Sequence, residues 1–244
     1  MSVINDVRDF HGKVAIVVGG GSGIGAAAAE LLRSRGATVV VGDLTPSETT
    51  EALDATDEDA VDAFVQSVVD RYGRIDCAAN FVGKGGPRAE LTQTTTEDYR
   101  RQLQMTLDTT FFCTRAELRH MRPRQSGSIV NTSSLAGLVG LHSLSAYCAA
   151  KHGVIGLSRS AALEVAAEGI RINIVCPGRT LTSNLEGVLA GNDALRERMI
   201  NDQPMLRFAK PTEIAEAACF LLSDAASFIT GEAFQVDGGE AAHS

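Results

Sequence analysis

The chain has 244 residues and 25.7 kDa, with 44% hydrophobic and 21% charged residues, proportions of a folded domain rather than a disordered one. Its 30 acidic residues outnumber 22 basic ones, giving a net charge of -8 and a pI near 5.1. That balance disfavours nucleic acid or an anionic membrane as the main ligand, because both are bound largely by neutralising phosphate.

No run of about 18 apolar residues is present, so no membrane-crossing helix is expected. The opening MSVINDVRDF lacks the basic-then-apolar pattern of a leader. The cysteines, Cys77, Cys113, Cys148, Cys176 and Cys219, are odd in number, widely spaced and without CxxC. They read as reduced thiols of a cytoplasmic chain, not as a disulfide framework or zinc site. The histidines form no HxxxH or HExxH, so no metal is expected.

Residues 13–18, KVAIVV, are apolar and rich in β-branched side chains, and read as a buried strand. Glycines follow, then an Ala- and Leu-rich helix to Arg35 that Gly36 closes. Residues 37–42 read as a second strand and Glu51–Asp54 as a third. The link between them, with Thr45–Thr50 at its centre, has about seven residues where a parallel crossover takes about a dozen, so it is expected to hold no helix. Thr56 is placed as N-cap of the next helix, with Val61, Phe64, Val68 and Tyr72 on one face and Gly73 at its end. Strands at 75–79, 128–132, 171–176 and 233–236 then alternate with helices near 96–121, 145–167 and 212–222. Such alternation predicts a single α/β domain over 1–244, a doubly wound parallel sheet of about seven strands with helices on both faces.

The first strand runs into Gly19-Gly20-Gly21-Ser22-Gly23-Ile24-Gly25 and then a helix. Glycines there allow a tight turn and close approach of a pyrophosphate, while the helix N-terminus offers free N–H groups and positive dipole. Asp43 ends the second strand, where a carboxylate accepts hydrogen bonds from the adenosine ribose of NAD and repels the 2′-phosphate of NADP. At about 4 Å and an effective dielectric near 20 that repulsion is roughly 4 kcal/mol. No Arg or Lys lies in Gly19–Gly25 or Gly42–Thr50 to reverse it. Further along, Tyr147 and Lys151 stand four apart on one helical face, and a close ammonium is expected to lower the phenol's pKa into the range of a general acid/base. Ser134 precedes them at the carboxyl end of the 128–132 strand, on the crevice side of a parallel sheet.

With these residues in view the chain resembles the short-chain dehydrogenase/reductase family, from about Lys13 to Gly239. The motifs occur in order: Gly19-xxx-Gly23-x-Gly25, Asp43, Asp54, Asn80-Phe81-Val82-Gly83, Ser134, Tyr147-xxx-Lys151, Pro177-Gly178-xxx-Thr182 and Val236-Asp237-Gly238-Gly239. The resemblance implies a Rossmann-like, usually tetrameric subunit that moves hydride between NAD(P) and an alcohol or carbonyl. It implies that Tyr147 handles the substrate oxygen's proton, that Lys151 lowers the Tyr147 pKa and binds the nicotinamide ribose, and that Ser134 bonds the substrate oxygen. By the same likeness Gly19, Gly21, Ser22, Gly23, Ile24 and Gly25 hold the pyrophosphate, and Asp43 with Leu44 flanks the adenosine ribose. Asp54 and Ala55 meet the adenine, and Asn80, Val82 and Gly83 border the cofactor. Pro177, Gly178, Thr180 and Thr182 hold its carboxamide and phosphate end.

Three departures stand out. Val18 replaces a common Thr, and Phe81-Val82 replaces Asn-Ala. Thr106 stands where the long helix normally carries a catalytic Asn that helps hold a water beside the Lys; Thr106 is carried here as a fourth catalytic candidate. His142 is a candidate substrate contact, while Cys148 and Cys176 read as buried small side chains. Arg115, Arg119, Arg122 and Arg124 either complement a helix dipole or dock an acyl carrier protein. The 179–208 segment, with Leu181, Leu185, Val188, Leu189, Met199 and Met205, reads as an apolar cover over the substrate. The leading expectation is an NAD-dependent enzyme acting on a secondary alcohol or ketone. The alternatives are an NADPH-dependent ketoacyl-type reductase and a cofactor-binding protein of low turnover.

Overall fold

The computed structural model describes residues 9–243, so residues 1–8 of the segment read for a leader lie outside it. Seven strands alternate with helices: β1 (Val14–Val18), α1 (Gly23–Ser34), β2 (Thr38–Asp43), β3 (Glu51–Ala52), α2 (Glu58–Tyr72) and β4 (Cys77–Asn80). There follow α3 (Thr96–Leu103), α4 (Thr109–Met121), β5 (Gly127–Thr132), α5 (Ser145–Val165) and β6 (Ile170–Pro177). The chain continues through α6 (Ser183–Leu189), α7 (Asp193–Asn201), α8 (Pro211–Leu222) and β7 (Ala233–Val236). The strands form one parallel sheet in the order β3-β2-β1-β4-β5-β6-β7. The chain winds outward from β1 to β3, then returns to β4 on the other side of β1. That reversal opens a crevice at the carboxyl ends of β1 and β4.

Strand side chains alternate between two cores. Val14, Ile16 and Val18 join α2, α4 and α5 residues such as Phe64, Met121 and Val165 on one face. Ala15 and Val17 join α1 and α8 residues such as Leu32, Ile214 and Leu222 on the other. Burial on both faces is why these strands carry no polar alternation. All five cysteines are free and buried, with Cys77 and Cys219 in one core and Cys113 in the other. Among the described residues no helix is long and apolar enough to cross a membrane.

The link before β3 holds no helix, only a bridge between Ser47 and Thr50, and β3 is the edge strand as its length requires. β3 is shorter than expected. After Leu53 donates its N–H to the Asp43 carbonyl (2.8 Å), Asp54 turns the chain by accepting from the Thr56 N–H (2.9 Å) and hydroxyl (2.7 Å). That engagement also displaces Thr56 as the N-cap of α2. Asp57 takes the position, its Oδ1 accepting from the Asp59 and Ala60 N–H groups. The helix read as continuous over 96–121 is interrupted by a π-turn at Gln104–Asp108. The 179–208 segment contains two short helices, α6 and α7, that the sequence reading left unassigned.

Candidate active site

The glycine loop sits at the crevice between β1 and α1. Gly19, at φ +75°, bonds the Gly42 carbonyl (2.8 Å), and a Cβ on it would strike the Phe81 carbonyl. A Cβ on Gly25 would strike the Gly19 backbone, so its absence lets α1 start directly against the loop. Ser22 takes the N-cap position without a side-chain capping bond, so the first N–H groups of α1 keep no such partner. Ile24 anchors that turn in the α1 core. Asp43 closes the loop's outer side: its Oδ2 accepts from the Gly21 N–H at 2.9 Å. The Thr182 side chain lies against Gly23, so the segment after β6 meets the loop from the other side. A cradle of Cβ-free backbone, unclaimed helix N–H groups and a carboxylate fits a dinucleotide.

Ser134, Tyr147 and Lys151 converge at the carboxyl end of β5. Lys151 is buried, 2% exposed, and its Nζ donates to the carbonyls of Thr132 (2.8 Å) and Val82 (3.3 Å). Burial lowers its pKa to about 8. The Ser133 hydroxyl donates to the Lys151 carbonyl (2.8 Å), tying α5 to the strand end. Nζ stands 6.0 Å from the Tyr147 ring centroid. Burial raises the Tyr147 pKa, while a hydrogen bond with Ser134 works in the opposite direction. The expected lowering by Lys151 is therefore corrected: burial is the largest influence on the phenol and raises it, and the neighbour that opposes this is Ser134.

Thr106 is wholly buried in the π-turn, and its hydroxyl and Lys151 Nζ both border the Cα of Gly83. The Asn80 side chain is also fully buried. It donates to Glu117 Oε2 and Asn131 Oδ1, both at 3.0 Å, so only its backbone is left for the cleft. Val82 likewise contributes its carbonyl. Leu44 is exposed beside Asp43, Asp54 is exposed in its turn, and Ala55 packs on the core. Pro177 ends β6, Gly178 lies against Asp237, the Thr180 hydroxyl bonds the Gly178 carbonyl (3.2 Å), and Thr182 caps α6.

Sequence reading overlooked Gln102, Glu117 and the carbonyls of Val82 and Thr132 that fix Lys151. Gln102 had a signal: it stands four residues before Thr106, on the same helical face. His142 is exposed, and its Nδ1 pairs with the Ser143 hydroxyl at 2.8 Å. Cys148 accepts a bond from the Leu141 N–H (3.3 Å), which ties the loop before α5 to that helix. The arginine cluster is engaged with acids: Arg115 with Glu58, Arg119 with Asp62 (2.7 Å), and Arg122 with Glu168 (2.5 Å). Those pairs are better partners than a helix dipole and leave Arg124 alone of the four for a docking protein.

A parallel sheet reversing at a glycine loop, with Ser, Tyr and Lys at the strand ends, defines a nicotinamide-dependent oxidoreductase. A family profile described as enoyl-(acyl carrier protein) reductase matches residues 18–240, and the chain belongs to the short-chain dehydrogenase/reductase family. It is 42% identical to cis-4-hydroxycyclohexanecarboxylate dehydrogenase of Sinomonas cyclohexanicum, covering 94% of this chain and 97% of that one. It is 39% identical to 2,5-dichloro-2,5-cyclohexadiene-1,4-diol dehydrogenase of Sphingobium indicum, over 96% and 98% of the two chains. The crystal structure of levodione reductase superposes with a TM-score of 0.92 at 33% identity, covering 96% of this chain and all of that one (100%). ElxO with NADP bound gives 0.90 at 30% identity, with 94% and 99% covered. The chain is an oxidoreductase of this family, acting between CH–OH and carbonyl groups with a nicotinamide cofactor.

Proposed function

We propose that the chain interconverts a secondary alcohol on a six-membered carbon ring and its ketone, using NAD(H). The observation that carries the reading is the convergence of Ser134, Tyr147 and Lys151 on the crevice that the glycine loop and Asp43 close. When bound, the nicotinamide supplies the acceptor or donor of hydride at the carbinol carbon. In oxidation the substrate hydroxyl gives its proton to Tyr147 Oη; in reduction the same oxygen returns it to the forming alkoxide. Ser134 Oγ holds the substrate oxygen in line with that transfer. Two Lys151 donors are fixed on carbonyls, which leaves a third that would hold the nicotinamide ribose of a bound cofactor. Thr106 stands behind the ammonium.

The ring substrate rests on the two relatives named for cyclohexane and cyclohexadiene compounds, and on the apolar Leu185, Val188 and Leu189 of α6. NAD rests on Asp43, with no Arg or Lys nearby to receive a 2′-phosphate. Initial rates with cyclohexanol, 4-hydroxycyclohexanecarboxylate, linear secondary alcohols and a sugar, each with NAD and NADP, test both. Turnover of the ring alcohols with NAD supports the reading. Preference for linear ketoacyl thioesters with NADPH replaces it with the ketoacyl-type reductase, and binding without any turnover replaces it with the cofactor-binding protein.

A homotetramer in the cytoplasm completes the reading. Exposed Phe111, Leu163, Phe220 and Phe228 give it apolar surface to cover, and the free buried thiols suit a reducing compartment. Light scattering coupled to gel filtration checks the subunit number.

A further inference from the structure

We propose that Gln102, with Asp98 beside it, sets substrate choice by accepting a hydrogen bond from a second hydroxyl, so that the preferred substrate is a neutral ring diol of which one carbinol is oxidised. The proposal rests on the ring-alcohol reading given above and names the further group that its substrate carries.

A recess opens beside Tyr147, between the loop after β4 and the start of α5. Pro87, Ala89, Leu144 and Ala146 give it apolar walls against which a carbon ring can lie. Two hydrogen bonds stitch its two sides together. The Ala89 N–H donates to the Ser143 carbonyl (3.0 Å), and Arg88 Nη1 donates to the His142 carbonyl (3.3 Å). Asp98 and Gln102, one turn apart on α3, line the recess from a third side.

Gln102 is 6% exposed, and its neighbours fix which way its carboxamide points. Nε2 donates to the Lys84 carbonyl (2.8 Å) and to Thr106 Oγ1 (3.0 Å). The Lys84 carbonyl can only accept, so the nitrogen must face it and Oε1 is turned the other way. There Oε1 meets Gly86, which also lines the recess; a Cβ on Gly86 would strike it, so the glycine leaves the oxygen room. Oε1 has no hydrogen-bond partner among the described residues. Asp98 supplies a second acceptor. Its Oδ2 takes the Thr95 hydroxyl (2.7 Å), while Oδ1 has no partner among the described residues. Nearby hydroxyls are already committed, since Thr94 donates to the Glu90 carbonyl (3.1 Å) and Ser143 pairs with His142 Nδ1 (2.8 Å).

The recess thus meets a ligand with two held acceptors, one of them on a buried side chain. A buried acceptor left unpaired is costly, and an O–H from the ligand removes that cost. A methyl group leaves it in place. A carboxylate brings only further acceptors, next to the charge of Asp98. The group that fits is a hydroxyl. Gln102 stands one helical turn, about 5.4 Å, from Thr106 behind Lys151, so the second hydroxyl lies across the ring from the reacting carbon. Only the C–H and O–H bonds of the first carbinol break; the second hydroxyl is bound and leaves unchanged.

The test measures kcat/KM with NAD for cyclohexane-1,4-diol, cyclohexanol, 4-methylcyclohexanol and 4-hydroxycyclohexanecarboxylate, in wild type and in Gln102→Met. Methyl and hydroxyl are close in size, so the first and third substrates differ chiefly in the donor. Wild type is expected to favour the diol over 4-methylcyclohexanol by at least about tenfold, beyond the statistical advantage of its two hydroxyls. Gln102→Met keeps the length without the oxygen and should cut that preference by most of its size, whereas a merely structural loss would lower both substrates alike. Wild-type rates for 4-methylcyclohexanol or the carboxylate that match the diol overturn the proposal, as does a preference that survives Gln102→Met in full. Oxidation of cyclohexanol with no preference for the diol overturns the proposal alone. No oxidation of any ring alcohol overturns the ring reading and the proposal with it.

Discussion

Asp43 Oδ2 accepts the Gly21 N–H at 2.9 Å, so the acid that ends β2 also braces the loop that ends β1. A Cβ on Gly21 would come within 2.9 Å of that same oxygen, which keeps the carboxylate flush with the loop. A phosphate on the adenosine 2′ position would have to enter beside an anion already fixed in place. We expect NADH to bind at least tenfold more tightly than NADPH, equivalent to about 1.4 kcal/mol. Asp43→Ser should shrink that preference and weaken both cofactors, since the loop loses its brace. Fluorescence titration checks it, and equal affinities in wild type would sink the assignment.

Tyr147→Phe removes the phenol but leaves Lys151 and the glycine loop intact. Turnover is expected to fall by about 10²–10⁴-fold while NADH affinity holds. Stopped-flow turnover paired with a binding titration separates the two effects. Turnover above about a tenth of wild type would mean that another group handles the proton.

Glu117 is a carboxyl sealed between α4 and the sheet, and burial, the dominant influence, raises its pKa to about 8 against a hydrogen bond from Asn80 that lowers it. Its Oε1 and Asn80 Oδ1 have no partner among the described residues, and a proton on Glu117 converts one of these acceptors into a donor. Between the unperturbed value of 4.5 and about 8 the folded chain therefore holds a proton that the unfolded chain has released. The contribution of this group to stability is fully present below that window and is lost as pH rises through it, by up to about 1.4 kcal/mol per unit. Thermal unfolding across that window should show a Tm that falls with pH in wild type and falls less in Glu117→Gln. Parallel curves for the two proteins would show that Glu117 is ionised in the fold.

Gly25→Ala places a methyl group into the Gly19 backbone, within 2.9 Å of the Gly19 carbonyl carbon. Neither partner is a side chain that can swing away. The helix must shift, and the helix N–H groups move with it. NADH binding should be lost or fall at least tenfold, with a drop in Tm of several degrees. Unchanged affinity would show that the loop and helix start tolerate separation.

Much of the sheet was legible in the residues because burial on both faces leaves each strand as an unbroken apolar run, as in KVAIVV. The missing helix before β3 was legible from chain length alone. Local competition was not legible. Thr56 has the chemistry of an N-cap, but its hydroxyl is drawn to Asp54 and Asp57 takes the role. A 3.6-residue period cannot register the single-residue slip of the π-turn that holds Thr106. α6 was hidden because its exposed face keeps Val188, which blurs any amphipathic stripe, and α7 because it is short and buries no residue. At the site, residue types that matched motifs stood out, whereas Gln102 and Glu117 matter through what they touch.

The cysteines turn the molecule into its own reporter of opening. With no thiol at the surface, a labelling reagent meets the native chain as though it had none. Burial also pushes Cys77, Cys176 and Cys219 up to about 12, which keeps them as unreactive thiols until water arrives. Cys113 lies on α4 in one core, Cys219 on α8 in the core across the sheet, and Cys176 near the active-site end of β6. The order in which these positions take up label during slow denaturation therefore records which side of the sheet parts first.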